Sequence, residues 1–74
     1  MWDSLTPSER IMAEAIALGW TPQETCRNLN IADSTRRHQE QSIREKLGLA
    51  SRTQIAVWMW KNGRMGGHES ARSM

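Results

Sequence analysis

Apolar residues recur along this chain at helical spacing, in clusters set apart by polar stretches. Ile11, Ala15 and Leu18 form one stripe with Met12 and Ile16 beside it and Glu14 outside it, which predicts a helix over about residues 7–18 with that stripe toward the core. A shorter helix over about 22–29 offers Cys26 and Leu29 to the same core, and Ile31 drops back toward it after a break at Asn30. The next segment, Asp33 to Leu47, is polar all round in its first half and regains apolar residues only at Ile43 and Leu47. The last, about Arg52 to Asn62, is apolar on every side from Ile55 to Trp60. Past Gly63 no periodicity remains, so residues 66–74 are expected to form a disordered tail, with residues 1–65 as one domain.

Local chemistry punctuates the same four segments. Thr6 with Glu9, Thr21 with Glu24 and Ser51 with Gln54 have the spacing of capping boxes, in which each side chain satisfies a free backbone N–H of the other residue. Pro7 and Pro22 follow the first two caps at the position where a missing N–H costs nothing, and Gly19, Gly48 and Gly63 fall where helices end. The expected fold class is all-α with four helices. A short helix, a tight turn and a longer basic helix make up the outline of a helix-turn-helix.

At 74 residues the chain makes one small domain, and folding at this size hides only ~60% of the unfolded surface, so a partner that covers more is a natural source of stability. The single cysteine, Cys26, excludes an internal disulfide and a Cys-based zinc cage; facing the core, it is expected to be inert. No basic leader with a long apolar run follows Met1, and the apolar run from Ile55 to Trp60 is too short to span a bilayer, so a cytoplasmic protein without membrane contact is expected. Net charge is +2 overall but divides unevenly: −3 over residues 1–26 and +5 over residues 27–64. The positive part coincides with the helix that has no apolar face, where Arg36, Arg37, His38 and Gln41 crowd the first two turns with donors suited to phosphates and purine edges. With no carboxylate pair, no His–Cys pairing and no glycine-rich phosphate loop, neither an enzyme, a metal nor a cofactor is expected; His68 lies in the tail.

These residues resemble the C-terminal DNA-binding domain of the LuxR family, the GerE-like helix-turn-helix. The resemblance is carried by LTPSER at Leu5–Arg10, Gly19 and Glu24, Ile31 and Thr35, EKLGL at Glu45–Leu49 and SRTQ at Ser51–Gln54, in one ungapped register from Leu5 to about Met65. It implies a four-helix domain of a bacterial or phage regulator that dimerises through its fourth helix and lays its third in the major groove. The family's usual sensory or phosphoacceptor domain has no room here, which implies a stand-alone regulator or a remnant of a larger one. Four positions depart from the family pattern. Arg36 replaces a small apolar residue, Gln39 a histidine, Thr25 a buried Ile, and Ala32 a Ser or Thr cap whose loss forfeits ~1 kcal/mol unless Asp33 or Ser34 substitutes.

Roles follow from side-chain chemistry within that frame. Arg37, in the place of the family's groove-facing Lys, is assigned to guanine, Gln41 to adenine, and His38 to a further base edge. Thr35, Lys46 and Arg52 are assigned to phosphates, and Arg36 either to a phosphate or to Glu40, four residues on. The all-round apolar fourth helix either lays both Trp side chains flat over the core or pairs with a second copy through Val57, Trp58, Trp60 and Lys61, the homodimer reading a two-fold inverted-repeat site. A second function in another class is an interaction protein that pairs through the same helix with a full-length LuxR-type regulator and spoils its dimer.

Overall fold

In the computed structural model, which describes residues 2–63, the helix starts are set by the caps the sequence supplies. Thr6 Oγ1 accepts from the Glu9 amide at 3.2 Å while Glu9 Oε1 accepts from the Thr6 amide at 2.9 Å, and α1 runs Pro7–Ala17. Thr21 and Glu24 make the same reciprocal pair, and α2 runs Pro22–Leu29. At Ser51 only half of the expected box forms. Its hydroxyl accepts from the Gln54 amide, but the Gln54 side chain accepts from the Ala50 amide instead, and α4 runs Arg52–Lys61. Between them α3 runs Asp33–Leu47 from Ala32, which supplies no side-chain cap, and ends at Gly48 with φ 69°. A single 3-10 turn at Trp2–Ser4, unforeseen from the sequence, precedes α1. The described residues contain no strand, and no helix among them is long and apolar enough to cross a membrane. The expected tail at 66–74, and His68 with it, lies outside the described residues.

One core joins α1, α3 and α4 through Leu5, Met12, Ala13, Ile16, Ile43, Leu47, Ile55 and Met59, with the partly buried Leu29 of α2 packed against it. Trp2 closes one side by stacking on Trp58 at 6.0 Å between ring centroids, with the Arg10 guanidinium 5.2 Å over its ring. Two expectations about faces need correction here, and both fail for one physical reason. The stripe expected inside α1 holds only in part: Ala15, with Met12 and Ile16 beside it, is buried, but Ile11 and Leu18 are 52% and 48% exposed, and Glu9 and Ala13 point inward. Likewise α3 does have an inward face, made of Arg36, Glu40, Ile43 and Leu47 at i, i+4, i+7 and i+11. In each helix the buried stripe begins with charged residues that find partners, so a search for apolar periodicity enters the stripe late or misses it. Cys26 is only half-buried; the fully buried residue of α2 is Thr25, whose hydroxyl donates to the Thr21 carbonyl at 2.9 Å.

Glu9 is the tether between α1 and α3. Its Oε1 accepts from Lys46 Nζ at 2.7 Å and its Oε2 from Ser42 Oγ at 2.5 Å. Burial alone pushes this carboxyl up, but the hydrogen bonds from Lys46, Ser42 and the Thr6 amide, with the Lys46 charge, outweigh it and hold the pKa at about 2 against an ordinary 4.5. A depressed carboxylate contributes stability that is complete above its unfolded pKa and is lost as pH falls toward the folded one, a difference worth roughly 3 kcal/mol here. Wild-type stability in urea is therefore expected to fall between pH 4.5 and about 2, and Glu9→Gln to remove that share of the slope while lowering stability at pH 7. Parallel pH profiles for the two proteins would contradict it.

Candidate nucleic-acid interface

The angle between α2 and α3 is fixed by a turn that needs one left-handed residue. Asn30 takes it, at φ 56° and ψ 51°, and the Ile31 amide donates to the Cys26 carbonyl at 3.0 Å to close the end of α2. Asn occupies this region at low cost, which is why the break falls there. Ile31 then packs against the core and α3 begins two residues later.

What seats α3 is an ion-pair chain on its inner side. Arg36, 8% exposed, places Nη1 2.7 Å from Glu40 Oε2 and donates from Nε to Asp33 Oδ1 at 3.0 Å. Glu40, 5% exposed, also accepts from Arg52 Nε at 3.3 Å. Arg52 in turn donates from Nη2 to the Trp20 carbonyl at 2.7 Å, so the first turn of α4, the α1–α2 connection and α3 meet at one guanidinium. Burial works against the charge on Arg36, yet Glu40 and Asp33 together raise its pKa. Asp33 is held below the usual carboxylate range, first by the hydrogen bond from Arg36 and further by the charges of Arg36 and Arg37.

With one side occupied, the opposite side of α3 presents the three residues singled out as base readers. Arg37, His38 and Gln41 are all exposed and lie together. Arg37 has its Nε 2.8 Å from Asp33 Oδ2 with its side chain 74% exposed, and Gln41 donates from Nε2 to Glu45 Oε2 at 3.2 Å. Thr35 is exposed in the first turn. The other three residues assigned to phosphates lie differently. Arg36 takes the second of its two considered roles, as the partner of Glu40, while Lys46 and Arg52 are part-buried on the carboxylates of Glu9 and Glu40. Arg27 is exposed on α2 and Arg44 half-exposed on α3, and neither stood out in the sequence. Asp33 was missed as a partner of Arg36 and Arg37, although its spacing from them was a usable signal, and Glu40 was foreseen as the partner of Arg36 but not as the acceptor of Arg52.

The residues considered for pairing divide in two. Val57 and Trp60 are 51% and 50% exposed on α4, with Lys61 exposed beside them, whereas Trp58 is half-buried in its stack on Trp2. Trp60 does not swing freely, because its Nε1 donates to the Ala17 carbonyl at 3.0 Å. Of the two Trp arrangements considered, the flat one therefore describes Trp58 alone.

Compared with known families, residues 3–59 match the model for bacterial regulatory proteins of the luxR family, GerE. Comparison with curated proteins and with solved structures gives no match.

Proposed function

The chain belongs to the luxR family of bacterial regulatory proteins, whose matched region is a DNA-binding helix-turn-helix, and from that premise we propose that it binds promoter DNA sequence-specifically as a two-fold dimer. The observation that carries the reading is the division of α3, locked by charge on its inner side and offering Arg37, His38 and Gln41 together on its outer side. A helix so placed enters a major groove with its reading residues leading. Arg37 takes guanine, Gln41 adenine and His38 a neighbouring edge, while Thr35 at the helix start holds a phosphate, with Lys46 and Arg52 contributing charge to the phosphates from their places on Glu9 and Glu40. Arg36 supports the helix from within. The protein acts in the cytoplasm, where promoter DNA is. Arg37→Ala is expected to relax preference at one base position in each half-site by ~5–150-fold, as read by binding to a panel of single-base variants. Equal loss on every sequence would make Arg37 a phosphate contact and overturn the assignment.

Pairing rests on the apolar outer stripe of α4. Two half-exposed large apolar side chains, Val57 and Trp60, with Lys61 at their edge, suit an isologous contact in which each copy covers the other. Trp60→Glu, and separately Val57→Glu, are expected to yield folded monomers in sedimentation at tens of micromolar, with DNA affinity falling as the second half-site is lost. A wild-type monomer at that concentration would contradict the dimer.

A second reading draws on the same stripe and on the internal neutralisation of Arg36, Lys46 and Arg52. Under it the chain pairs through α4 with a full-length LuxR-type regulator and blocks its dimer, with little DNA binding of its own.

A further inference from the structure

We infer that Asp33 is a positioning residue for base recognition: anchored from inside the domain, it aims Arg37 at its base. The inference rests on the DNA-binding reading above and adds to it a residue that itself touches no base.

The two oxygens of Asp33 are divided between neighbours of opposite character. Oδ1 receives Arg36 through both Nε, at 3.0 Å, and Nη2, at 2.9 Å. Arg36 is itself immobile, since its remaining terminus is on buried Glu40, which Arg52 grips from α4. A carboxylate held through one oxygen by a buried, planar guanidinium has its second oxygen fixed in direction as well. That second oxygen, Oδ2, meets Nε of Arg37 at 2.8 Å.

The choice of nitrogen matters. Bidentate recognition of guanine O6 and N7 uses two donors along one edge of the guanidinium plane. An arginine held at Nε keeps its outer edge, Nη1 and Nη2, for that purpose and has fewer rotamers to lose on binding. A surface pair of this kind contributes little to folding, so its consequence is in orientation and not in stability. The result is a continuous chain from Arg52 through Glu40, Arg36 and Asp33 to Arg37, in which the base-reading end is referred to the interior of the domain. Its sequence signature is three acid–base spacings, Asp33 to Arg36, Asp33 to Arg37 and Arg36 to Glu40, which on an exposed helix would be ordinary solvated pairs.

The test uses the full chain and selection from random duplex DNA by wild type, Arg37→Ala, Asp33→Asn and the double variant, with Asp33→Ser as a second uncharged replacement that also suits a helix start. The expected result is that Asp33→Asn and Asp33→Ser blunt the same base position that Arg37→Ala blunts, by about two- to tenfold, from the renewed side-chain freedom of Arg37. The double variant should then match Arg37→Ala alone, because the buttress has nothing left to hold. If both Asp33 variants leave that position intact, or raise affinity for all sequences alike as removal of one negative charge would, the buttress is overturned while the DNA-binding reading stands. If wild type itself enriches no motif, that reading falls and the buttress with it.

Discussion

Affinity for duplex DNA is expected to fall by ~10³–10⁵ as salt rises from about 50 to 200 mM. The expectation comes from counting cations in place. Residues 27–64 carry a net +5, but Arg36, Lys46 and Arg52 are engaged by Glu40 and Glu9 and Arg37 is assigned to a base, leaving Arg27, Arg44 and Lys61, among the described residues, as the side chains most directly offered to phosphates. Two copies of that set, with Lys46 and Arg52 recruited in part, neutralise roughly 6–10 phosphates, and each neutralised phosphate releases counterions whose return at high salt reverses binding. Titration of a labelled duplex across this range gives the slope directly. A flat response would remove the electrostatic basis of the proposed interface.

Glu40→Ala is expected to be the most damaging single substitution in α3. It strips the buried Arg36 of its closest partner and frees Arg52 from α3, leaving a guanidinium at 8% exposure with only the exposed Asp33. Removing one partner of a buried pair costs ~3–5 kcal/mol, against a total stability of ~4–11 kcal/mol for a chain this size. The melting temperature should fall by at least ~12 °C. Replacing both partners, Arg36→Met with Glu40→Leu, should restore most of the loss, since an apolar pair of similar volume carries no desolvation cost. Near-wild-type melting of Glu40→Ala would mean that the pair is solvated and does not seat the helix.

That pair also marks the boundary of what the sequence disclosed. Helix positions were legible because Thr6, Thr21, Ser51, Pro7 and Pro22 act on their own neighbours, and local chemistry is visible in a linear string. The Asn30 turn was legible for the same reason. Which way the helices face was not. An arginine four residues before a glutamate reads alike on a solvated surface and in a core, and only Arg52 arriving from α4 makes Glu40 a buried centre. Glu9 shows the same limit, read as half of a capping box while its other oxygen was reaching Ser42, 33 residues away in the chain. The base-reading candidates were identified together because exposure, unlike burial, asks for no distant partner. Trp58 and Trp60 are two residues apart and about 200° apart around α4, and no periodicity argument could tell which of them Trp2 would cover.

The central claim, that α3 reads base sequence for a two-fold dimer, is tested most directly by selecting bound sequences from random duplex DNA with the purified wild-type chain. An enriched inverted repeat is expected, with half-sites about one helical turn apart, ~34–36 Å centre to centre, each holding a guanine that Arg37→Ala ceases to require. Recovery of no common sequence, together with a folded chain that instead forms a mixed dimer with a full-length LuxR-type regulator, would contradict it.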